Sequence, residues 1–378
     1  MRITALKTFA VGGRANAVIV VKIETDEGLY GIGDASLAGR NQGVVGVLEH
    51  FAPLLVGRDP SRIEDIWQEL YRNTFWRGGP ILLSAISGID IALWDLKGKR
   101  AGMPVYDLLG GRTRDRLRTY CHVGGASDEE LCDNALAQIE RGYSAVRIVP
   151  ALFNVLPWDS RKSVRASVRR VETLRRAVGE DVDIMIDVHH RFTPMENVAF
   201  GQGVRDYGLF FIEDPVAPDN LQTYDLLRAK IDVPLATGEA MVTKWAFKYL
   251  IERELIDYLR VDPIHAGGIS ETRKIAVMGE VHDIDLALHN PGSPICAAAC
   301  IHVAFAAPNF GIQETTPQPQ SMREVFPVQP EVRDGHFEPP ERPGLGVEFD
   351  EAAAVRWEGS TLTELPHLRN ADGSVADW

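Results

Sequence analysis

Cysteine is scarce in this chain. Its four residues (Cys121, Cys132, Cys296, Cys300) show neither a disulfide-rich framework nor CxxC spacing. Cys296 and Cys300 stand four apart in an apolar stretch, where buried thiols are expected. Long hydrophobic runs are missing too. No segment approaches the ~20 apolar residues of a membrane span. The start, MRITALKTFAVGG, has no signal-peptide core, so a cytoplasmic protein with no membrane partner is expected. Positive charge is also in short supply: 40 Lys and Arg against 53 Asp and Glu leave a net charge of −13. That balance argues against nucleic acid or anionic lipid as a partner. A small anionic ligand remains compatible, because a bound metal reverses the field at one site.

What the chain does have is a ladder of ionisable residues. Asp187, Glu213, Glu239, Asp262, His289 and Glu314 follow one another at intervals of 26, 26, 23, 27 and 25. Each falls in or just after a short apolar run: DIMID, LFFIED, PLATGE, YLRVD, LALH, FGIQE. About 25 residues is the length of one strand, one helix and two short connections. One ionisable side chain therefore stands at the C-terminal end of strand after strand. In a (β/α) barrel those ends share one mouth, where catalysis takes place. The pattern predicts an enzyme.

The rest of the chain fits around that barrel. Residues 1–35 read as a β-meander, with a turn at Asp26-Glu27-Gly28. From about 43 to 110 apolar residues recur at helical spacing, with Ser61 and Ser84 as candidate N-caps and Gly102 as a C-terminal stop. Eight strand candidates follow, at 118–124, 144–150, 183–190, 209–215, 234–240, 256–263, 286–291 and 309–315, separated by amphipathic helical stretches. The expected fold is α/β: a modified TIM barrel of the (β/α)7β type (116–345) behind an N-terminal α+β capping domain (1–115). The longest interval, between strands two and three, holds ALFNVLPWDS, an aromatic loop expected over the mouth. A Pro- and Gly-rich tail (346–378) with Trp357 and Trp378 is expected to pack back on the cap.

Asp187, Glu213 and Glu239 end three successive strands. Three carboxylates at one mouth repel unless a cation lies between them. An all-oxygen set without cysteine selects a hard ion, and Mg²⁺, one per site, fits best. His289 and Asp262 end neighbouring strands, and an aspartate beside an imidazole fixes its tautomer and raises its pKa. His189, two residues after Asp187, is expected on the same strand face beside the metal. The set then offers one histidine to take a proton and one to give it. His190 should point away, as a supporting group. His265, in HAGG, lines the mouth or turns the chain. Glu314 is either a protonated donor to a developing oxyanion or an ordinary polar partner. Arg147 is the cation of strand two, suited to an anionic substrate group or to packing on a carboxylate.

These motifs carry a resemblance. GGPILLSAISGIDIALWDLKGKRAGMPVYDLLGG resembles the capping domain of the mandelate racemase-like acid-sugar dehydratases of the enolase superfamily, and FIEDP, GEA and HAGGI are similar to its barrel strands. DVHHRFTP, Arg147 and PNFGIQE resemble mannonate dehydratases; Asp262 in RVDPIHAGG and LALHNPGSPI resemble galactonate dehydratases. The tyrosine that mannonate dehydratases use after strand two has no counterpart in ALFNVLPWDS. The resemblance implies a Mg²⁺-dependent hydro-lyase for a sugar acid and a homo-oligomer. In it, His289, oriented by Asp262, removes the α-proton, and His189 protonates the departing 3-hydroxyl. It further implies that loops near Gly12–Asn16 and Thr74–Arg77 close over substrate, with Trp76 and Arg77 reaching its distal hydroxyls. Two other readings stay open. An epimerase needs a second base, and strand two has no lysine. A slow metal- or sugar-acid-binding barrel would have a regulatory role.

Overall fold

Alternating apolar residues on either side of a tight turn build the first sheet. β1 (Ile3–Val11), β2 (Val18–Thr25) and β3 (Tyr30–Asp34) run antiparallel in the order β1-β2-β3. The computed structural model describes residues 1–12, 17–362, 368–370 and 372–376. Residues 13–16 of the expected cap loop and Trp378 lie outside them. Ile19, Val21 and Ile23 of β2 share a core with α1 (Asn41–Leu55), α2 (Ile63–Arg72) and α3 (Pro80–Ala101). β3 lies directly on α3. A Cβ on Gly33 would fall 1.9 Å from Gly88 O, and one on Gly31 2.0 Å from Ala92 O.

Both expected serine caps are displaced. α2 is preceded by Arg62 without a side-chain cap bond, and Ser61 instead gives its N–H to Asp59 Oδ1 at 2.9 Å. α3 starts at Pro80, behind Gly79, so Ser84 lies buried inside the helix. Proline at the first helical position has its φ pre-set and no N–H to satisfy, which moves the start upstream. Gly102 does end α3, at φ 67°, with its N–H returned to Gly98 O and Lys99 O.

After α4 (Val105–Leu108) the alternation begins. It runs β4 (Leu117–His122), α5 (Asp128–Ile139), β5 (Ala145–Ile148), α6 (Ser160–Val178), β6 (Asp183–Asp187), α7 (Pro194–Val204), β7 (Phe211–Glu213) and α8 (Thr223–Arg228). It continues through β8 (Leu235–Thr237), α9 (Thr243–Glu252), β9 (Tyr258–Leu259), α10 (Pro263–Ala266), α11 (Gly268–Glu280), β10 (Asp285–Leu286), α12 (Pro294–Ala306) and β11 (Gln313–Thr315). β4 to β10 pair in order, all parallel. β11 pairs with β4, and a Leu286–Phe310 bridge closes the ring. This is the (β/α)7β barrel. Beyond α13 (Gln320–Val325), the hairpin β12 (Val332–Arg333) and β13 (His336–Phe337) adds antiparallel to β4. α14 (Glu351–Arg356) then returns to the cap, where Glu351 Oε2 meets Lys22 Nζ at 2.6 Å and Gly359 N–H reaches Ala10 O at 2.9 Å.

Inside the ring, Tyr120, Ala145, Met185, Phe211, Ala236, Ala287 and Ile312 form an apolar floor. Two residues further along a strand, the side chain returns to the same face one layer higher. From six of those residues the step lands on His122, Arg147, Asp187, Glu213, His289 and Glu314. From Ala236 it lands on Gly238 (φ 142°), where the backbone turns and Glu239 joins the carboxylates instead. Five of the six ladder residues thus belong to the second layer of a plugged barrel, and Asp262 lies beyond it as the cap of α10.

Gly33→Ala should destabilise the protein by about 1–3 kcal/mol through overpacking of β3 on α3. Gly46→Ala, on α1 with open space around it, should stabilise by roughly 0.5–1 kcal/mol. Urea denaturation midpoints of the two variants should move in opposite directions.

Candidate active site

The second layer holds Asp187, Glu213 and Glu239, each offering an oxygen within 4.8 Å of the others. Asp187 and Glu213 are fully buried, Glu239 partly so. Two arginines compensate them. Arg147 pairs with Asp187 and brings Nε to 3.6 Å from Glu213 Oε2. Arg260, itself wholly buried, pairs with Glu213 through Nε, with Glu314 Oε2 through Nη2 at 2.7 Å, and with Ala287 O through Nη1 at 2.7 Å. Even so, Glu213 Oε2 and Glu239 Oε2 are buried without a hydrogen-bond partner. These two unpaired oxygens beside the Asp187 carboxylate, an all-oxygen set from three successive strand ends, fit a hard divalent cation such as Mg²⁺.

Electrostatics differ across the triad. Burial pushes Asp187 up, but Arg147 and His189 outweigh it and hold the carboxyl low. Burial raises Glu213 despite Arg260, and lifts Glu239 to about 8, with Asp214, Asp187 and Glu213 adding to the rise.

The histidines border this cluster at its two ends. His289 Nδ1 lies 2.7 Å from Asp262 Oδ2, and its Nε2 3.5 Å from Glu239 Oε2. Since Asp262 can only accept, Nδ1 carries the proton and Nε2 faces the triad. Asp262 is held in turn by the N–H of Ile264 on Oδ1 at 2.8 Å, because it caps α10. Burial works against charge on His289, yet Glu239, Asp262 and Glu314 raise it to about 10. At the other end, His189 Nε2 sits 2.5 Å from Asp187 Oδ2. Strand alternation does not place it there. β6 stops at Asp187, and His189 has φ 46°, so the chain turns back and returns the ring to its neighbour. His190, also left-handed, lies 3.4 Å from Asp214 Oδ2 behind the mouth.

Other expected residues are placed differently. Glu314 accepts from Arg260, from Asn290 N–H at 2.8 Å and faces His122 Nε2 at 2.5 Å. Burial raises it, but Arg260 and His122 hold it far below the usual carboxylate range, so it has no proton to donate. Arg147 is committed to the carboxylates rather than free for an anionic substrate group. Trp76 is 82% exposed on the loop before α3, and among the described residues lining the mouth cavity neither it nor Arg77 occurs. His265 does line that cavity, with Nδ1 2.9 Å from Ser84 Oγ and Nε2 3.7 Å from Asp262 Oδ2. Phe153, from the loop after β5, packs on His189 at 5.3 Å between ring centroids, and the Arg191 guanidinium stands 4.5 Å from the same ring's centroid. Arg260 and His122 escaped the sequence reading. The signal was present: each lies two residues beyond an aromatic of the lower layer, Tyr258 and Tyr120.

Two outcomes follow from this charge balance. Arg260→Met should destabilise by about 3–5 kcal/mol, because it strands two buried carboxylates; chemical denaturation reads it. Glu239 and His289 both hold protons that an incoming cation displaces, so Mg²⁺ affinity should weaken as pH falls through about 8. Calorimetric titration across pH should show that slope together with proton release.

Comparison with known proteins agrees with this geometry. Residues 4–110 match the mandelate racemase / muconate lactonizing enzyme N-terminal domain, and residues 130–353 the enolase C-terminal domain-like family. A D-galactonate dehydratase family member, RspA of Halomonas elongata, is 40% identical, over 95% of this chain and 96% of its own. A D-mannonate dehydratase of a Sphingomonas strain is 39% identical, over 95% and 96%. The crystal structure of an enolase from Pantoea ananatis with bound D-gluconate and Mg superimposes with a TM-score of 0.94 at 39% identity, covering 100% of this chain and 99% of that one. The chain belongs to the enolase superfamily.

Proposed function

We propose that the protein is a Mg²⁺-dependent hydro-lyase that dehydrates a sugar acid of the galactonate, gluconate or mannonate type to a 2-keto-3-deoxy acid. The observation that carries this reading is the arrangement of the two histidines. His289, with Asp262 at 2.7 Å, touches Glu239 at one end of the triad, and His189 touches Asp187 at the other. A substrate carboxylate held between them presents its α-carbon to one imidazole and its 3-hydroxyl to the second.

The triad Asp187, Glu213 and Glu239 would hold the metal. Bound there, Mg²⁺ would supply positive charge that displaces the protons retained on Glu239 and His289 and that offsets charge developing on the substrate carboxylate. His289 Nε2 then accepts the α-proton while Nδ1–H stays on Asp262, which fixes the ring and stabilises the imidazolium. Burial opposes charge on His189, but Asp187 raises its pKa above the ordinary histidine value, and its Nδ1, without a protein partner, is the ring nitrogen that would give a proton to the leaving hydroxyl. Loss of water leaves an enol that tautomerises to the ketone. Phe153 against His189 shields this proton from solvent.

Relatives named galactonate and mannonate dehydratase and the gluconate-binding neighbour support the substrate class. Epimerisation is the second reading, because His189 could also act as a base on the opposite face. Solvent deuterium entering the α-position without elimination would favour it.

The first test is a sugar-acid library with Mg²⁺, read as semicarbazone absorbance of 2-keto-3-deoxy acids; silence across hexonates, pentonates and aldarates would overturn the dehydratase. His289→Asn should lower turnover by about 10²–10⁴-fold while Mg²⁺ still binds. Near-normal turnover in that variant would remove His289 from the base role. Glu213→Gln should weaken metal affinity and turnover together, and activity that survives chelation would sink the metal assignment.

A further inference from the structure

Directly behind the Asp262–His289 pair runs α12, buried at every residue from Pro294 to Phe305. Its composition is that of a helix inside a core, apolar except for Cys296, Cys300 and His302. The two cysteines stand one turn apart, are fully buried and form no disulfide. Both reach the dyad. Cys296 Sγ lies 3.7 Å from Asp262 Oδ1 and 4.0 Å from His289 O, and Cys300 Sγ lies 3.4 Å from His289 O.

Burial pushes the Cys296 thiol well above its ordinary pKa, and Cys300 and Asp262 add to the rise, so the sulfur keeps its proton. A thiol is then the donor, and the Asp262 carboxylate can only accept. Among the described residues the two thiols are the only donors to the His289 carbonyl. With Cys300 on that carbonyl at the shorter distance, the Cys296 S–H is left for Asp262. The other groups around this carboxylate do not fix it from outside. Ile264 N–H, 2.8 Å from Oδ1, and His265 Nε2, 3.7 Å from Oδ2, belong to the same turn as Asp262 and move with it. His289 Nδ1, 2.7 Å from Oδ2, is the group to be positioned. Cys296 alone ties the carboxylate to a separate, rigid element. Thiols are weak donors, but charge on the acceptor strengthens the bond.

We infer that Cys296 is a positioning residue of the proton-abstracting dyad: its thiol holds the Asp262 carboxylate from α12, while Cys300 holds the His289 backbone beside it. This rests on the dehydratase reading, in which His289 Nε2 takes the α-proton. A base misplaced by an ångström costs up to about 100-fold in rate, so a tie that keeps the imidazole aimed acts on kcat rather than on binding. The competing role is packing, in which the thiols only fill space.

The test uses the Mg²⁺-loaded, full-length enzyme and the sugar acid it turns over fastest. Cys296→Ala removes volume and Cys296→Val adds it, while both delete the S–H. In both variants kcat should fall by about tenfold with KM unchanged; a packing role would spare whichever variant fits the space better. A second readout needs neither substrate nor turnover. The low-field proton resonance of His289 Nδ1–H, assigned by its loss in His289→Asn, should move downfield in both variants. A carboxylate with one donor fewer draws that proton more strongly. Wild-type kcat in either variant, or a resonance unmoved in both, overturns the inference and leaves the dehydratase standing. A downfield shift in both variants of a protein that turns over no sugar acid upholds the tie and sinks the dehydratase reading.

Discussion

Asp187, Glu213 and Glu314 place three carboxyl groups in the middle of a closed barrel, with an apolar floor directly beneath them and almost no contact with solvent. Carboxylates in such a place either take up protons or acquire partners. Both happen. Arg147 and Arg260 reach in from β5 and the end of β9, and the remaining imbalance shows as protons retained on Glu239 and His289. Around this charge balance the rest of the site is arranged. The floor exists to seal it, the arginines to stabilise it without metal, and the two histidines to work at its edges. A cation entering the triad displaces protons and prepares the bases in one event.

The cap is coupled to this chemistry through its longest helix. Ser84, inside α3, holds His265, which stands over the same Asp262 oxygen that orients His289. Asp90, a turn and a half along, accepts the Ser270 N–H at 3.0 Å at the start of α11, and Trp67 Nε1 donates to Gly267 O at 2.8 Å. These contacts pin the Pro263–Gly268 turn that carries the dyad aspartate. The displacement of Ser84 from a helix cap to a helix interior therefore has a consequence: its hydroxyl serves the barrel instead of its own helix. The close seating of β3 on α3 through Gly31 and Gly33 keeps that helix where the turn needs it.

Much of this was legible beforehand. Spacing of about 25 residues located the triad, the dyad and Glu314, because strand-helix repeats have a nearly constant length and a barrel brings their ends together. Side-chain partnership was less legible. Trp76 and Arg77 belong to a loop whose direction no periodicity encodes, and it points into solvent. His189 reaches the site through a left-handed turn rather than through strand alternation. Glu314 occupies the expected position, and of its two expected roles the polar partner is the one seen, because Arg260 comes from a segment 54 residues earlier.

The sequence by itself determined the barrel, its mouth and the chemical character of the residues there, because those follow from local period and residue type. Only the tertiary structure decided which charge meets which. Arg147 and Arg260 neutralise carboxylates that lie 40 to 66 residues away along the chain. Pairing across a closed ring depends on distances in space, and a one-dimensional pattern specifies the face a side chain takes without specifying its neighbour.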